Sequence, residues 1–155
     1  RAEGRPDLEV RVGQPAARGA LIGLTRGTGR AQIVRATLEA IAYQTVDAVR
    51  AQETASGESL TMLRADGGAV GNRWLMQFQA DALGVPVVVP EISETTALGA
   101  AYLAGIAVGK WDLAAVHDMW RERATYEPRI SADERESLLA RWHQAVERSR
   151  GWARD

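Results

Sequence analysis

Apolar residues recur along this chain with two periods, and the changes of period mark its elements. Ala20-Leu21-Ile22, closed by Gly23, reads as a buried strand over residues 19–24, and the glycine-bearing stretch 25–30 reads as a loop. Val34, Leu38, Ile41, Thr45 and Ala48 then fall at spacings of four, three, four and three, one stripe of a long helix expected to pack on a sheet and to end at Ser56-Gly57. A short apolar run over residues 60–65 predicts the next strand. It breaks at Asp66-Gly67-Gly68, and Leu75, Phe78 and Ala82 restore helical spacing up to Gly84. Val85-Pro86-Val87-Val88-Val89 is β-branched enough for another strand, ended by Pro90. Thr95 and Thr96 are candidate caps for a third helix rich in alanine and glycine. Trp111, Leu113, Val116, Met119 and Trp120 mark an amphipathic turn or two, broken at Tyr126-Glu127-Pro128. Ser131 with Glu134 is a capping-box signature, opening a last helix whose face is Leu138, Leu139, Trp142, Ala145 and Val146. Strands and helices in alternation predict an α/β fold with a mostly parallel sheet and helices on its faces.

Residues 1–17 carry alternating charge, two prolines and two glycines, and predict a mobile leader with one edge strand at residues 8–12. Arg1 in place of methionine suggests a chain cut from a longer one, and no apolar signal segment follows it. The full 155 residues are one domain's worth, enough to bury about two thirds of the unfolded surface. Charged residues make up 25% with a net charge of -1, so there is no basic field for nucleic acid. The longest apolar run, over residues 97–108, is too short to cross a bilayer, which takes roughly 20 residues. Without cysteine there is no disulfide framework or thiolate metal site, in keeping with cytosolic residence; His117 and His143 are too far apart in sequence to suggest a metal cluster. His143, on a charged helix with no partner nearby in sequence, reads as a surface histidine.

The candidate chemistry is concentrated in the glycine turn. A strand that breaks at paired glycines and resumes as a helix brings backbone N–H groups and a helix N-terminus toward one point, and lets a ligand approach where a Cβ would collide. Two readings fit it, a phosphate-ester or nucleotide seat and a tight connection with no ligand. Gly99 and Gly105 inside the third helix also need a reason, since glycine there costs up to about 1 kcal/mol relative to alanine. Close packing across a domain interface and packing on the domain's own sheet both supply one.

Three blocks in order resemble the FGGY carbohydrate kinases. The first is Gly19-Ala20-Leu21-Ile22-Gly23-Leu24-Thr25-Arg26-Gly27 with Arg35-Ala36-Thr37-Leu38-Glu39-Ala40-Ile41-Ala42-Tyr43-Gln44-Thr45. The second is Asp66-Gly67-Gly68-Ala69-Val70, Asn72 and Leu75-Met76-Gln77-Phe78-Gln79, similar to that family's adenosine-binding segment. The third is Thr96-Ala97-Leu98-Gly99-Ala100-Ala101-Tyr102-Leu103-Ala104-Gly105. The resemblance covers residues 18–155 and implies the C-terminal nucleotide-binding domain of an actin-like ATPase (ribonuclease H-like) fold. It tilts toward the branch that phosphorylates glycerol, with a pentulose or polyol kinase as the near alternative.

What the resemblance implies for the site is specific. Gly68 and Asn72 carry over as nucleotide contacts, with the Gly67 backbone beside them and Asp66 either orienting the turn or lying near a metal-bound water. ATP or ADP is the implied nucleotide and Mg2+ the implied metal, its ligands outside this chain. The aspartate-glycine-threonine phosphate loop that opens actin-like kinases is not in the sequence, and no catalytic base is assigned. The resemblance places the base and the glycerol site in a preceding N-terminal domain, so the 155 residues alone are expected to be catalytically incomplete or to act as a binding or assembly module. It also implies a homo-oligomeric, cytoplasmic enzyme.

Overall fold

The computed structural model describes residues 17–151. They divide into two compact units, Leu60–Arg129 and the flanking segments 17–59 and 130–151. The expected edge strand at residues 8–12 lies outside the described residues.

In the flanking unit the long helix α1 (Arg30–Ser56) starts where Gly29 donates its backbone N–H to Gln32 Oε1 at 3.1 Å. It stops at Gly57, whose φ of 74° takes the chain out of the helix with its N–H on the Glu53 carbonyl. Its described partner is α5 (Ala132–Ser149), where the Ser131 hydroxyl accepts the Glu134 N–H at 3.2 Å as the sequence predicts. The buried face of α1 is Ala42, Tyr43 and Val46, not the expected stripe: Val34 is 51% and Ile41 47% exposed. One residue is about 100° of helix rotation, so a periodicity read one position off turns the inner face well aside. The contact that sets the face is lateral. Tyr43 stacks on Trp142 with centroids 5.5 Å apart, and Asp47 accepts from the Trp142 indole N–H at 2.7 Å while its other oxygen lies 2.7 Å from His143 Nε2. His143 therefore has a partner 96 residues away along the chain.

The expected strand over residues 19–24 is not formed. Leu21, Ile22 and Leu24 are exposed, and no neighbouring strand takes up their backbone among the described residues. A strand needs a ladder partner to satisfy its N–H and C=O groups, and strand propensity alone does not supply one.

The central unit holds a three-stranded sheet in the order β1 (Leu63–Arg64), β2 (Val87–Pro90), β3 (Glu122–Tyr126). β1 runs parallel to β2 with Leu63 opposite Val87, and β3 returns antiparallel with Val88 opposite Thr125. The described sheet is thus mixed, because the segment after Trp120 pairs as a strand instead of continuing as a turn. β2 is buried along its whole length, and Pro90, which has no N–H to donate, sits at the register shift that ends the ladder. Helix α2 (Arg73–Leu83) packs on β2, burying Leu75, Met76, Phe78, Ala80 and Ala82. Asp81 on the same helix accepts the Arg129 backbone N–H at 2.7 Å and a Gln77 amide N–H at 3.0 Å, fixing the chain as it leaves β3.

Helix α3 (Thr95–Ala107) begins one residue earlier than its threonines suggest, with Glu94 at the cap position and both threonines inside the first turn. Gly105 finds its reason within this unit: a Cβ there would come within 2.1 Å of Cε3 of Trp111. That ring meets Tyr102 edge-on and leads into the short helix α4 (Leu113–Asp118), capped by Asp112. Gly99 has no such neighbour within 4 Å.

Burial pushes the Tyr43 hydroxyl up to about 12 from an ordinary 10.0; the Glu39 carboxylate adds to the rise, and Arg141 and Arg35 oppose it. The folded chain then keeps a proton that the unfolded chain releases, so this stabilisation is whole below pH 10 and is lost as pH rises toward 12. Urea midpoints measured across that range are expected to fall less steeply in Tyr43→Phe than in the unsubstituted chain; equal slopes would contradict this origin.

Candidate functional site

β1 ends after two residues, but its register continues one step: Ala65 donates its N–H to the Val88 carbonyl at 3.0 Å. The exposed Asp66 follows, and then the chain turns. Gly67 adopts φ 82° and ψ −176°, backbone torsions that essentially only glycine takes up, and its N–H is held by the Ser93 carbonyl at 2.9 Å. Residues Gly68–Gly71 form a single 3₁₀ turn, closed by Val70 N–H to the Gly67 carbonyl and Asn72 N–H to the Ala69 carbonyl. Val70 anchors the turn from inside, 2% exposed, and its carbonyl accepts from Arg123 Nη2 at 3.3 Å.

Asn72 is the hinge between the turn and α2. Its Oδ1 accepts the Leu75 N–H at 3.1 Å, an N-cap bond that sequence reading did not assign to it. This engages the accepting end of the amide with the helix. The first turn of α2 contains no acidic residue and begins with Arg73, so its positive dipole end is not neutralised by its own side chains. Trp74, 39% exposed, stacks on Phe78 at 5.2 Å beside the turn.

The three expected nucleotide residues thus belong to one turn: Gly67 precedes it, Gly68 begins it and Asn72 closes it. A Cβ built on Gly67, Gly68 or Gly71 meets no heavy atom of the described residues within 4 Å, so the space immediately over these glycines is open there. Open backbone with a helix N-terminus behind it is an arrangement in which an anionic group can approach main-chain N–H groups. Among the described residues no group of three histidine, aspartate or glutamate side chains is placed to hold a metal ion. Thr25 and Arg26 lie in an exposed turn of the flanking unit, closed by the Thr25 N–H to Thr28 hydroxyl bond at 2.9 Å. Sequence reading missed Arg123, whose strand was hidden by its charges; the alternation of Ala124 and Tyr126 was the available signal.

Residues 9–108 match the model of the FGGY family of carbohydrate kinases, C-terminal domain. The chain belongs to the FGGY family. It is 60% identical over 140 residues to the glycerol kinase of Dechloromonas aromatica, a match that takes in 90% of the chain and 28% of that enzyme. A match of 60% over 138 residues to the glycerol kinase of Symbiobacterium thermophilum likewise covers 88% of the chain and 28% of the relative. The structure is similar to that of Plasmodium falciparum glycerol kinase with ADP, with a TM-score of 0.76 and 37% identity over 86% of the chain and 27% of the other. FGGY membership and this likeness give the chain the actin-like ATPase fold. The chain spans a little over a quarter of the length of these relatives.

Asn72→Ala removes the N-cap bond and is expected to lower stability by about 1 kcal/mol, with Asn72→Ser retaining most of it. Urea unfolding of the two variants measures the difference, and equal losses would mean that the cap is not what Asn72 supplies to the fold.

Proposed function

We propose that this chain is the C-terminal, ATP-binding part of a glycerol kinase, an enzyme that transfers the γ-phosphate of ATP to glycerol to give sn-glycerol 3-phosphate. The observation that carries the reading is the unfilled glycine turn at Gly67 and Gly68, joined to the N-cap of α2 at Asn72. The likeness to glycerol kinases, one of them solved with ADP, supports it. ATP supplies the phosphoryl group. The residues of this chain bind and orient: the Gly67-Gly68 main chain lies along the adenosine and α-phosphate region, and Asn72 Nδ2 donates a hydrogen bond to the nucleotide. Asp66, exposed at the strand end, orients the turn.

Phosphoryl transfer also needs a metal site and a positioned base for the attacking hydroxyl. On this reading Mg2+, the glycerol site and the base belong to the remaining part of the polypeptide. By itself the chain then acts as a nucleotide-binding module without turnover. The intact enzyme on this reading is a cytoplasmic homo-oligomer. The alternative is another sugar or polyol kinase of the FGGY family, supported by the likeness to a Brucella ovis xyloylose kinase, 30% identical with a TM-score of 0.65.

Gly68→Trp fills the space over the turn without meeting a protein atom near its Cβ, so the fold is expected to survive. Calorimetry with ADP is expected to show affinity reduced at least tenfold, about 1.4 kcal/mol. Unchanged affinity in the folded variant removes the assignment, and ADP release from ATP and glycerol by the isolated chain would overturn its catalytic incompleteness.

A further inference from the structure

We propose that Arg123 is a positioning residue of the nucleotide site, holding the glycine turn in its open form from a strand that follows it by 53 residues. The inference rests on the nucleotide reading above and adds to it a residue outside the turn. The turn is tied at three points, each to a different element. Its start is fixed by Gly67 N–H on the Ser93 carbonyl, in the connection between β2 and α3. Its end is fixed by the Asn72 cap on α2. Its middle is fixed by Arg123 Nη2, which donates from β3 to the Val70 carbonyl at 3.3 Å.

The middle tie matters because a 3₁₀ turn is held by few and poorly aligned bonds of its own. Those at its two ends are Val70 N–H to the Gly67 carbonyl at 3.2 Å and Asn72 N–H to the Ala69 carbonyl at 3.0 Å. With the Val70 side chain buried inside, the bond to its carbonyl outside stops the peptide between Val70 and Gly71 from rotating. That peptide stands directly between the Gly68 backbone and the Asn72 amide, so its orientation sets how the two face a common ligand. A charged donor makes a stronger bond to a carbonyl than a neutral one does, which suits a single long-range tie. The neighbouring arginines have other tasks: Arg121 donates to the Asp118 and Trp120 carbonyls, and Arg129 offers its backbone N–H to Asp81.

Arg123→Leu keeps an aliphatic stem on an exposed strand position and removes the donor, and Arg123→Lys restores a charged donor of different shape. With the 155-residue chain, ADP affinity is read by calorimetry and amide exchange by NMR. Arg123→Leu is expected to weaken ADP binding about three- to tenfold and to speed exchange at Gly71 and Asn72 by a similar factor, with the thermal midpoint little changed. Arg123→Lys is expected to recover part of both. Wild-type affinity and wild-type exchange at Gly71 and Asn72 in Arg123→Leu would overturn the proposal, and so would accelerated exchange throughout Leu60–Arg129 in step with a lowered melting point. Failure of the unsubstituted chain to bind ADP counts against the nucleotide reading alone; faster exchange confined to the turn in Arg123→Leu then supports the clamp, and its absence overturns it.

Discussion

The hydrogen bond from Gly67 N–H to the Ser93 carbonyl is the tie on which the geometry of the site depends. It is made by a residue whose φ of 82° and ψ of −176° are open to glycine and strained for any side chain. The bond lashes the exit of β1 to the exit of β2, so that two parallel strands end at one level and the chain between them can turn over the sheet edge. The candidate site is built on that turn. Gly68 begins the 3₁₀ segment, Val70 roots it, and Asn72 converts its end into the first turn of α2. A Cβ at Gly67 would oppose the backbone torsion; a large side chain at Gly68 would leave the backbone possible but occupy the space.

The rest of the central unit holds this arrangement still. β2 is the buried middle strand, α2 packs on it through Leu75, Phe78 and Ala82, and β3 closes the other side. Asp81 and Gln77 together hold the exit of β3, since Gln77 donates both to Asp81 and to the Glu127 carbonyl. The strand that bears Arg123 is thereby fixed against the helix that Asn72 caps. Polar side chains here serve to join elements distant in sequence while apolar burial holds the layers together.

How much of this was legible in the sequence depended on how local each signal was. The break at Asp66-Gly67-Gly68, the helical spacing of Leu75, Phe78 and Ala82, the valine run of β2 and the Ser131–Glu134 cap all lie within a few residues of the feature they specify, and each appears close to where it was expected. Gly57 and Gly84 end their helices for the same reason. The misses are non-local. The inner face of α1 is chosen by Tyr43 stacking on Trp142 and by Asp47 reaching Trp142 and His143, none of which a periodicity can register. Ala20-Leu21-Ile22 has strand composition but no ladder among the described residues. β3 carries Glu122, Arg123 and Thr125 on its exposed positions, so its two inward residues were too few to announce a strand. Of the candidate site, the three residues carried by the motif come together in one turn, while the Ser93 and Arg123 ties that shape it come from 26 and 53 residues beyond the positions they hold.

An amide-resolved NMR titration of the chain with ADP tests the nucleotide seat at Gly67, Gly68 and Asn72 most directly. Saturable shifts are expected at Gly67, Gly68 and Asn72, extending into the first turn of α2. Saturable binding whose shifts fall elsewhere while Gly68 and Asn72 stay still, or no response to ADP at all, would contradict that seat.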